Sequence, residues 1–161
     1  MNNDYLSDVV SKVVGSLNVK MNLDIAKILS RLVEEKAREM GVNAVVAVSD
    51  AGARPILVHC MDDSYIASFD VAVKKSYTVV SLKMSTAELK PLAAPGGSLY
   101  GIQFTNDSQI VIFGGGDPLR VDGRIIGGLG VSGGTEEQDT ALSAYGASVF
   151  EEIIKNYRKD V

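Results

Sequence analysis

The stretch GGLGVSGGTEEQD, from Gly127 to Asp139, joins a glycine-dense apolar segment to the start of a helix. Three of its glycines, Gly128, Gly130 and Gly133, have the G-x-G-x-x-G spacing of a dinucleotide-binding turn. That turn also requires a second parallel strand, with an acidic residue about 20 positions further on. Only one amphipathic helix follows here. The stretch therefore predicts a strand-to-helix junction and no bound NAD.

The helix after this junction begins at a capping box. The Thr135 hydroxyl can accept from the backbone N–H of Gln138, whose side chain can reach back to the Thr135 N–H. Gly133 and Gly134 allow a tight turn before it and leave backbone N–H groups at a helix N-terminus, where an anion can bind. We predict a helix from Thr135 to about Tyr157, and Gly133, Gly134 and Thr135 as candidate ligand-binding residues. The alternative is that the glycines only let the chain turn.

Hydrophobic periodicity predicts the elements in the first half of the chain. Asn22 caps a helix that should end near Met40, before Gly41. Apolar runs at 42–49 and 55–61, separated by a turn at 50–52, predict a hairpin. A helical stretch follows, on which Ile66, Phe69, Val73, Tyr77 and Val80 fall on one face.

The sequence pattern of the second half of the chain predicts a helical turn, a loop and then strands. We predict a helical turn at 86–92, an irregular loop, a strand at 110–113 and a break at 114–118. Asp122-Gly123 predicts a tight hairpin turn before a strand at 124–131. Strands joined by such short turns pair antiparallel. The order of elements therefore predicts a single α+β domain, with helices packed on one antiparallel sheet.

The composition fits one ordinary domain: 161 residues, 46% of them hydrophobic, with one cysteine, Cys60, and a net charge of -4. A chain of this length can bury a core without disulfides. No run approaches the roughly 18 apolar residues of a membrane span, and the N-terminus lacks the pattern of a signal peptide. Lys and Arg are scattered, without the basic face that nucleic acid requires. We predict a cytoplasmic protein without membrane or nucleic-acid partners.

His59, the only histidine, precedes Cys60 in the second predicted strand. Neighbours on a strand point to opposite faces, so these two cannot form a nucleophile and base pair or ligate one metal. His59 and Met61 share a face, but residues two apart on one strand cannot bracket a porphyrin. His59 is therefore a candidate for a single haem ligand. The alternative is a histidine that is packed or solvated on the strand.

Two other features are candidate ligand contacts. Gly114 and Gly115 lack the Gly-Lys-Ser/Thr that follows in a phosphate-binding loop, and they indicate a bulge or tight passage at the mouth of a pocket. Lys74 and Lys75 lie near the middle of the central helix, where they could neutralise an anionic ligand; the alternative is an exposed helix face. No catalytic constellation emerges, so the sequence leaves enzyme activity open.

Several segments together resemble the GlcG/HbpS family of small bacterial haem-binding or haem-degrading-type domains, which also form the C-terminal domain of PduO-type proteins. The resemblance covers residues 22–161, and the long glycine-rich block is its most specific part. It implies a profilin-like fold, with an antiparallel sheet flanked by helices, and a homo-oligomer. The segments that carry it are VAVSDAG (Val46–Gly52), Met61-Asp62, AVKKSYT (Ala72–Thr78), the block from Phe113 to Asp139, and Ala144–Gly146.

The resemblance implies an accessory small-molecule-binding protein of a bacterial catabolic pathway. Haem or a related tetrapyrrole would lie in a pocket lined by the glycine-rich strands and the central helix. Two other functions stay open. One is a small enzyme or sensor for an organic-acid or aldehyde-derived metabolite. The turn at 133–135 and Lys74 would hold the anionic group of that metabolite. The other is a structural cargo protein of a bacterial microcompartment.

Residues 1–18 lie outside the resembling region and predict a short amphipathic helix. It is similar to the encapsulation peptides that direct cargo into microcompartments, because it offers an apolar face to a partner without joining the core of its own domain. That resemblance implies a shell partner and a place in the microcompartment lumen. The alternative is that the stripe packs on its own domain or on a subunit neighbour. The stripe comprises Leu6, Val9, Val10, Val13, Val14 and Leu17.

Overall fold

The computed structural model describes residues 3–17 and 19–157, so residues 1, 2 and 18 of the predicted N-terminal helix and residues 158–161 of the predicted domain lie outside it. The described chain forms an α+β fold of five α-helices and a four-stranded sheet, which confirms the predicted class. Two short 3-10 helices lie between the fourth helix and the third strand. In chain order the elements are α1 (Asn3–Leu17), α2 (Leu23–Glu39), β1 (Val45–Asp50), β2 (Pro55–Cys60), α3 (Ile66–Leu82), α4 (Thr86–Ala93), β3 (Gly116–Val121), β4 (Arg124–Ser132) and α5 (Glu136–Tyr157).

The helix boundaries follow the predicted caps. The side chain of Asn22 accepts from the Ile25 N–H at 2.9 Å, and α2 ends before Gly41, whose φ of +68° suits glycine. At the start of α5 the Thr135 hydroxyl accepts from Gln138 N–H, while the Gln138 side chain accepts from Thr135 N–H. Both reciprocal bonds of the predicted capping box are therefore present.

The sheet has the order β2-β1-β4-β3, and every pairing in it is antiparallel. Both predicted hairpins are confirmed: β1 pairs with β2, and β3 pairs with β4 across Asp122-Gly123. The glycine-rich strand β4 lies in the middle, so no parallel strand flanks it on either side. Gly128 and Gly130 instead lie against the backbone of α3, where an added Cβ would collide with the carbonyl oxygens of Ser76 and Ala72.

The two faces of the sheet are covered by different helices. Leu129, Val131 and Val46 point to α2 and α5, in a core built mainly of aliphatic side chains. The opposite face packs on α3, whose inward side chains are mostly small or polar. The buried members on that side of α3 are Ser68, Ala72, Lys75, Ser76, Thr78 and Val79.

The predicted strand at Ile110–Phe113 is wrong, because these residues pair with no strand of the sheet. It is held to α3 by Thr78, whose hydroxyl donates to the Gln109 carbonyl and accepts from the Val111 N–H. The predicted break at 114–118 is wrong in its second half, because β3 already begins at Gly116. Pro118 is tolerated inside β3 because this strand lies at the edge of the sheet.

The apolar face predicted on α3 does not point to the sheet. Ile66 is 97% exposed and Phe69 is 52% exposed, while the polar Lys75 is buried. The cause is β4, whose glycines bring the helix so close that only small side chains, or a lysine stem running along the contact, fit between them.

The N-terminal helix is confirmed as α1, and every side chain described from Asp4 to Gly15 is exposed. Its apolar stripe does not contribute to the core of its own domain. Among the described residues, no helix is both long and apolar enough to cross a membrane.

Candidate functional site

His59 lies at one end of the sheet, in an open cleft of about 580 Å³ that we call the histidine cleft. Its ring is on the α2 side of β2 and is 43% exposed. The cleft has a mixed lining, with a thiol, a thioether, one arginine and three carboxylates. Its residues are Glu34, Arg38, Asn43, Val58, His59, Cys60, Met61, Asp62 and Asp63.

A carboxylate from α2 holds the imidazole of His59. Its Nδ1 lies 2.7 Å from Glu34 Oε1, and the buried Ser30 hydroxyl donates to the same carboxylate oxygen at 2.7 Å. An ionised carboxylate only accepts, so Nδ1 carries the proton and Nε2 has its lone pair available. A carboxylate behind one ring nitrogen is the arrangement that orients metal-binding histidines. This arrangement would suit His59 Nε2 as a single ligand to a haem iron.

A second polar centre, the lysine cluster, lies on the opposite face of the sheet. Lys75 of α3 is 0% exposed and donates to the Val131 carbonyl at 2.8 Å and to Asp139 Oδ2 at 3.1 Å. Its Nζ also lies 4.8 Å from the centre of the Phe113 ring. Burial lowers the pKa of Lys75, and the charge and hydrogen bond of Asp139 oppose that shift.

The predicted glycines lie around this cluster. An added Cβ on Gly115, whose φ is +115°, would meet Lys75 Nζ and Asp139 Cβ, so the glycine makes room for the ion pair. Gly114 N–H donates to Glu136 Oε1 at 3.0 Å, and this bond, with a further contribution from Lys90, lowers the pKa of Glu136. Two of the four predicted glycines thus surround the lysine amine and the start of α5.

Two N–H groups of the turn at 133–135 are bound by the protein's own side chains. Gly134 N–H donates to Asp139 Oδ1 and Thr135 N–H donates to Gln138 Oε1, both at 2.9 Å. Asp139 therefore occupies the place where an anion was expected. Lys74 pairs with Asp70 on its own helix, and it is the adjacent Lys75 that meets the glycines.

Three depressions run around this end of the sheet. The histidine cleft shares Asn43 and Asp63 with a neighbouring polar cleft of about 410 Å³ at the start of α5. That cleft shares Tyr65, Gly133 and Gly134 with a pocket of about 260 Å³ beside Phe113 and Asp139. His59 and the glycines are therefore neighbours around one rim, but they face opposite sides of the sheet and do not line one pocket.

Sequence reasoning missed Glu34 and Asp139 as site residues, and it did not predict the pairing of Lys75 with Asp139. Glu34 stands 25 residues before His59 and looks like any charged residue of an amphipathic helix. Lys75 and Asp139 are 64 residues apart, and the only signal was an acidic residue in the first turn of a helix, which also suits the helix dipole.

Comparisons with known proteins identify relatives of this chain. Residues 21–148 match the family model described as "Haem degrading protein HbpS-like". The chain is 43% identical over 133 residues to an uncharacterised 15.0 kDa protein of Citrobacter freundii, encoded between dhaT and dhaS, and covers 94% of it. It is 40% identical to the corrinoid adenosyltransferase PduO of Salmonella typhimurium over 71% of its own length, but it spans only 34% of PduO.

Solved structures share the fold. The protein ORFY of Klebsiella pneumoniae superposes with a TM-score of 0.79 at 40% identity, covering 83% of this chain and 92% of that one. A PduOC:heme complex superposes with a TM-score of 0.77 at 35% identity, covering 81% and 94% of the two chains. HbpS of Streptomyces reticuli, as a double mutant, gives 0.72 at 26% identity, covering 82% and 88%. On the match over 21–148, this chain belongs to the HbpS-like family.

Proposed function

We propose that this protein binds haem or a related tetrapyrrole at the histidine cleft, as an accessory protein of a bacterial catabolic pathway. The observation that carries the proposal is the pairing of His59 Nδ1 with Glu34, because it holds the ring with Nε2 as the nitrogen for iron. The cleft volume of about 580 Å³ lies within the range of cofactor sites. The 35% identity to a protein solved with haem supports the ligand class.

The chemistry that haem supplies when bound is ligand exchange and electron transfer at iron. The chain's own residues would hold and orient it. His59 would bind the iron, Glu34 would fix the tautomer and orientation of the ring, and Arg38 at the cleft wall offers a cation for a propionate. The carboxylates of Asp62 and Asp63 repel propionates, so these groups would lie on the Arg38 side.

A haem titration tests the proposal. Purified protein should give a saturable Soret shift with ferric haem, and His59→Ala should abolish the shift. Glu34→Gln keeps the ligand but weakens its orientation, so we expect roughly 10- to 100-fold weaker binding. Lys74→Gln, a change on α3 outside the cleft, is the matched control and should bind like the wild type.

Two results would contradict it. A wild-type protein without a saturable shift does not bind haem. A His59→Ala variant that binds as tightly as the wild type places the haem elsewhere, for example in the pocket beside Phe113.

An organic-acid or aldehyde-derived ligand at the turn of residues 133–135 is the less favoured alternative. The N–H groups of Gly134 and Thr135 are already paired with Asp139 and Gln138, so an incoming anion would have to displace them. Three further points stay predictions. They are the homo-oligomer, the location in the cytoplasm or in a microcompartment lumen, and a shell contact through residues 1–18. The exposed stripe of α1 supports a contact with another protein chain.

A further inference from the structure

A shallow apolar groove runs between α2 and α5 on the outer surface of these helices. It has a volume of about 430 Å³. Ile28 and Leu32 form one wall at i, i+4 spacing, and Val149 and Ile153 form the other. Ile28 is 43% exposed although it lies on a helix that packs on the core. Such a groove between two packed helices is shaped to receive a third helix.

The same chain carries an apolar helix of matching size. On α1 the side chains of Leu6, Val9, Val10 and Val14 are between 37% and 54% exposed. Counted from Leu6, their spacings of three, four and eight residues place them on one face, as in an amphipathic helix that lies in a groove. At 15 residues α1 is about 22 Å long, and the groove between Tyr145 and Tyr157 is about 18 Å long at the helical rise per residue.

The attachment of α1 to its domain leaves the groove of its own chain open. Val19 packs against the core, Met21 is buried, and the Asn22 side chain donates to the Tyr157 hydroxyl at 3.1 Å. The chain is thus fixed at the Tyr157 end of the groove, and α1 leaves the domain there with its stripe exposed.

We propose that α1 of one copy lies in the α2–α5 groove of a second copy, and that the two chains exchange these helices reciprocally. Exchange repeats the same contact twice about a two-fold axis, which a closed dimer requires. It also doubles the buried area, since one helix alone would bury less than the roughly 1,200 Å² of a stable interface. Asp4 of α1 can meet Lys27 or Arg31 on the outer side of α2, whereas Asp8 is already paired with Lys12 on its own helix.

Two surface substitutions test the interface in the full-length protein. Val10→Asp on α1 and Ile28→Asp in the groove both replace exposed side chains, so neither should prevent folding of the protomer. Each should raise the dissociation constant of the dimer at least tenfold, measured as a fall in mass by light scattering after size exclusion. Ser11→Asp, on the polar side of α1, is the matched control and should leave the mass unchanged.

Disulfide trapping identifies the partner chain. In a Cys60→Ser background, Val10→Cys on one chain and Ile28→Cys on another should form a linked dimer when the two proteins are mixed under oxidation. Ser11→Cys in place of Val10→Cys should not. A single chain that carries both Val10→Cys and Ile28→Cys tests the alternative. If a disulfide forms only within that chain, and not between two singly substituted chains, α1 folds back on its own groove and the exchange is overturned. An unchanged mass for Val10→Asp would also overturn it and would leave α1 to another partner, such as a shell protein.

Discussion

The face of the sheet under α2 and α5 is filled by large aliphatic side chains, whereas the face under α3 is lined by glycine, alanine and serine around one buried lysine. On the first face, stability comes from apolar area removed from water, which tolerates modest changes of shape. On the second, the helix and strand backbones nearly touch, and the charge of Lys75 is balanced by Asp139. The first face should respond to lost volume, and the second to added volume or to an unbalanced charge.

The largest expected effect is at the lysine cluster. Lys75→Met removes one partner of a buried ion pair and leaves Asp139 without its cation, which typically costs about 4 kcal/mol. Chemical denaturation would measure this loss. The adjacent Lys74→Met is the control and should cost under about 0.5 kcal/mol, because Lys74 is half-buried and pairs only with Asp70 on its own helix.

Adding Asp139→Asn to Lys75→Met should recover part of the loss. Asparagine can keep the acceptor for Gly134 N–H while it removes the unbalanced charge. If the double variant is as unstable as Lys75→Met alone, the lysine stem contributes by packing and not by charge.

The next largest loss of stability is expected from substitutions at two neighbouring residues of β4. Gly130→Ala adds a methyl group against the Ala72 carbonyl and should cost about 3 kcal/mol, because backbone on both sides must move. Leu129→Ala removes buried volume from the aliphatic face and should cost a similar amount, by creating a cavity. A Gly130→Ala variant with wild-type stability would show that α3 can move away from β4.

The smallest effect concerns a carboxyl on the aliphatic side. Asp117 on β3 accepts from the Ser143 hydroxyl of α5 at 2.6 Å, and burial raises its pKa above the usual 3.8. Because the unfolded chain then loses this proton at lower pH than the folded one, the carboxyl destabilises the fold as pH rises above about 3.8. Asp117→Asn should therefore raise the Tm at pH 7 by about 2 °C.

The pH dependence checks the assignment. The gain from Asp117→Asn should disappear near pH 3, where the carboxyl is protonated in both states. The exposed Asp107→Asn is the control and should leave the Tm unchanged at both pH values. A gain that persists at pH 3 would come from a cause other than ionisation.

Much of the fold could be predicted from local patterns. The caps at Asn22 and Thr135, the Asp122-Gly123 turn and the alternation of apolar residues depend on neighbours within a few positions. The strand at 110–113 could not be excluded in this way, because its backbone is satisfied by Thr78, about 30 residues away. Nor could the start of β3 inside the glycine run, since that depends on pairing Gly116 with Gly130.

The candidate site was predictable only in part. His59 was a candidate ligand because it is the one histidine of the chain. The glycines were candidates because many of them occur within a short stretch of sequence. Their separation onto opposite faces of the sheet follows from the register of β1 with β2 and β4, which sets which side each residue faces. Which of the two lysines, Lys74 or Lys75, is buried against β4 likewise depends on the rotation of α3 about its own axis.

The sequence by itself determined the α+β class, the order of the elements, the helix caps, the tight turns and an N-terminal amphipathic helix, because short-range sterics and hydrogen bonds specify each of them. Only the tertiary structure decided that Glu34 holds His59, that Lys75 is buried against Asp139, and that α1 and the α2–α5 groove are both left exposed. These are contacts between segments that are distant in the sequence, and their geometry depends on how closely the backbones pack. Glycine and alanine permit such close packing, but they do not by themselves determine which segments come together.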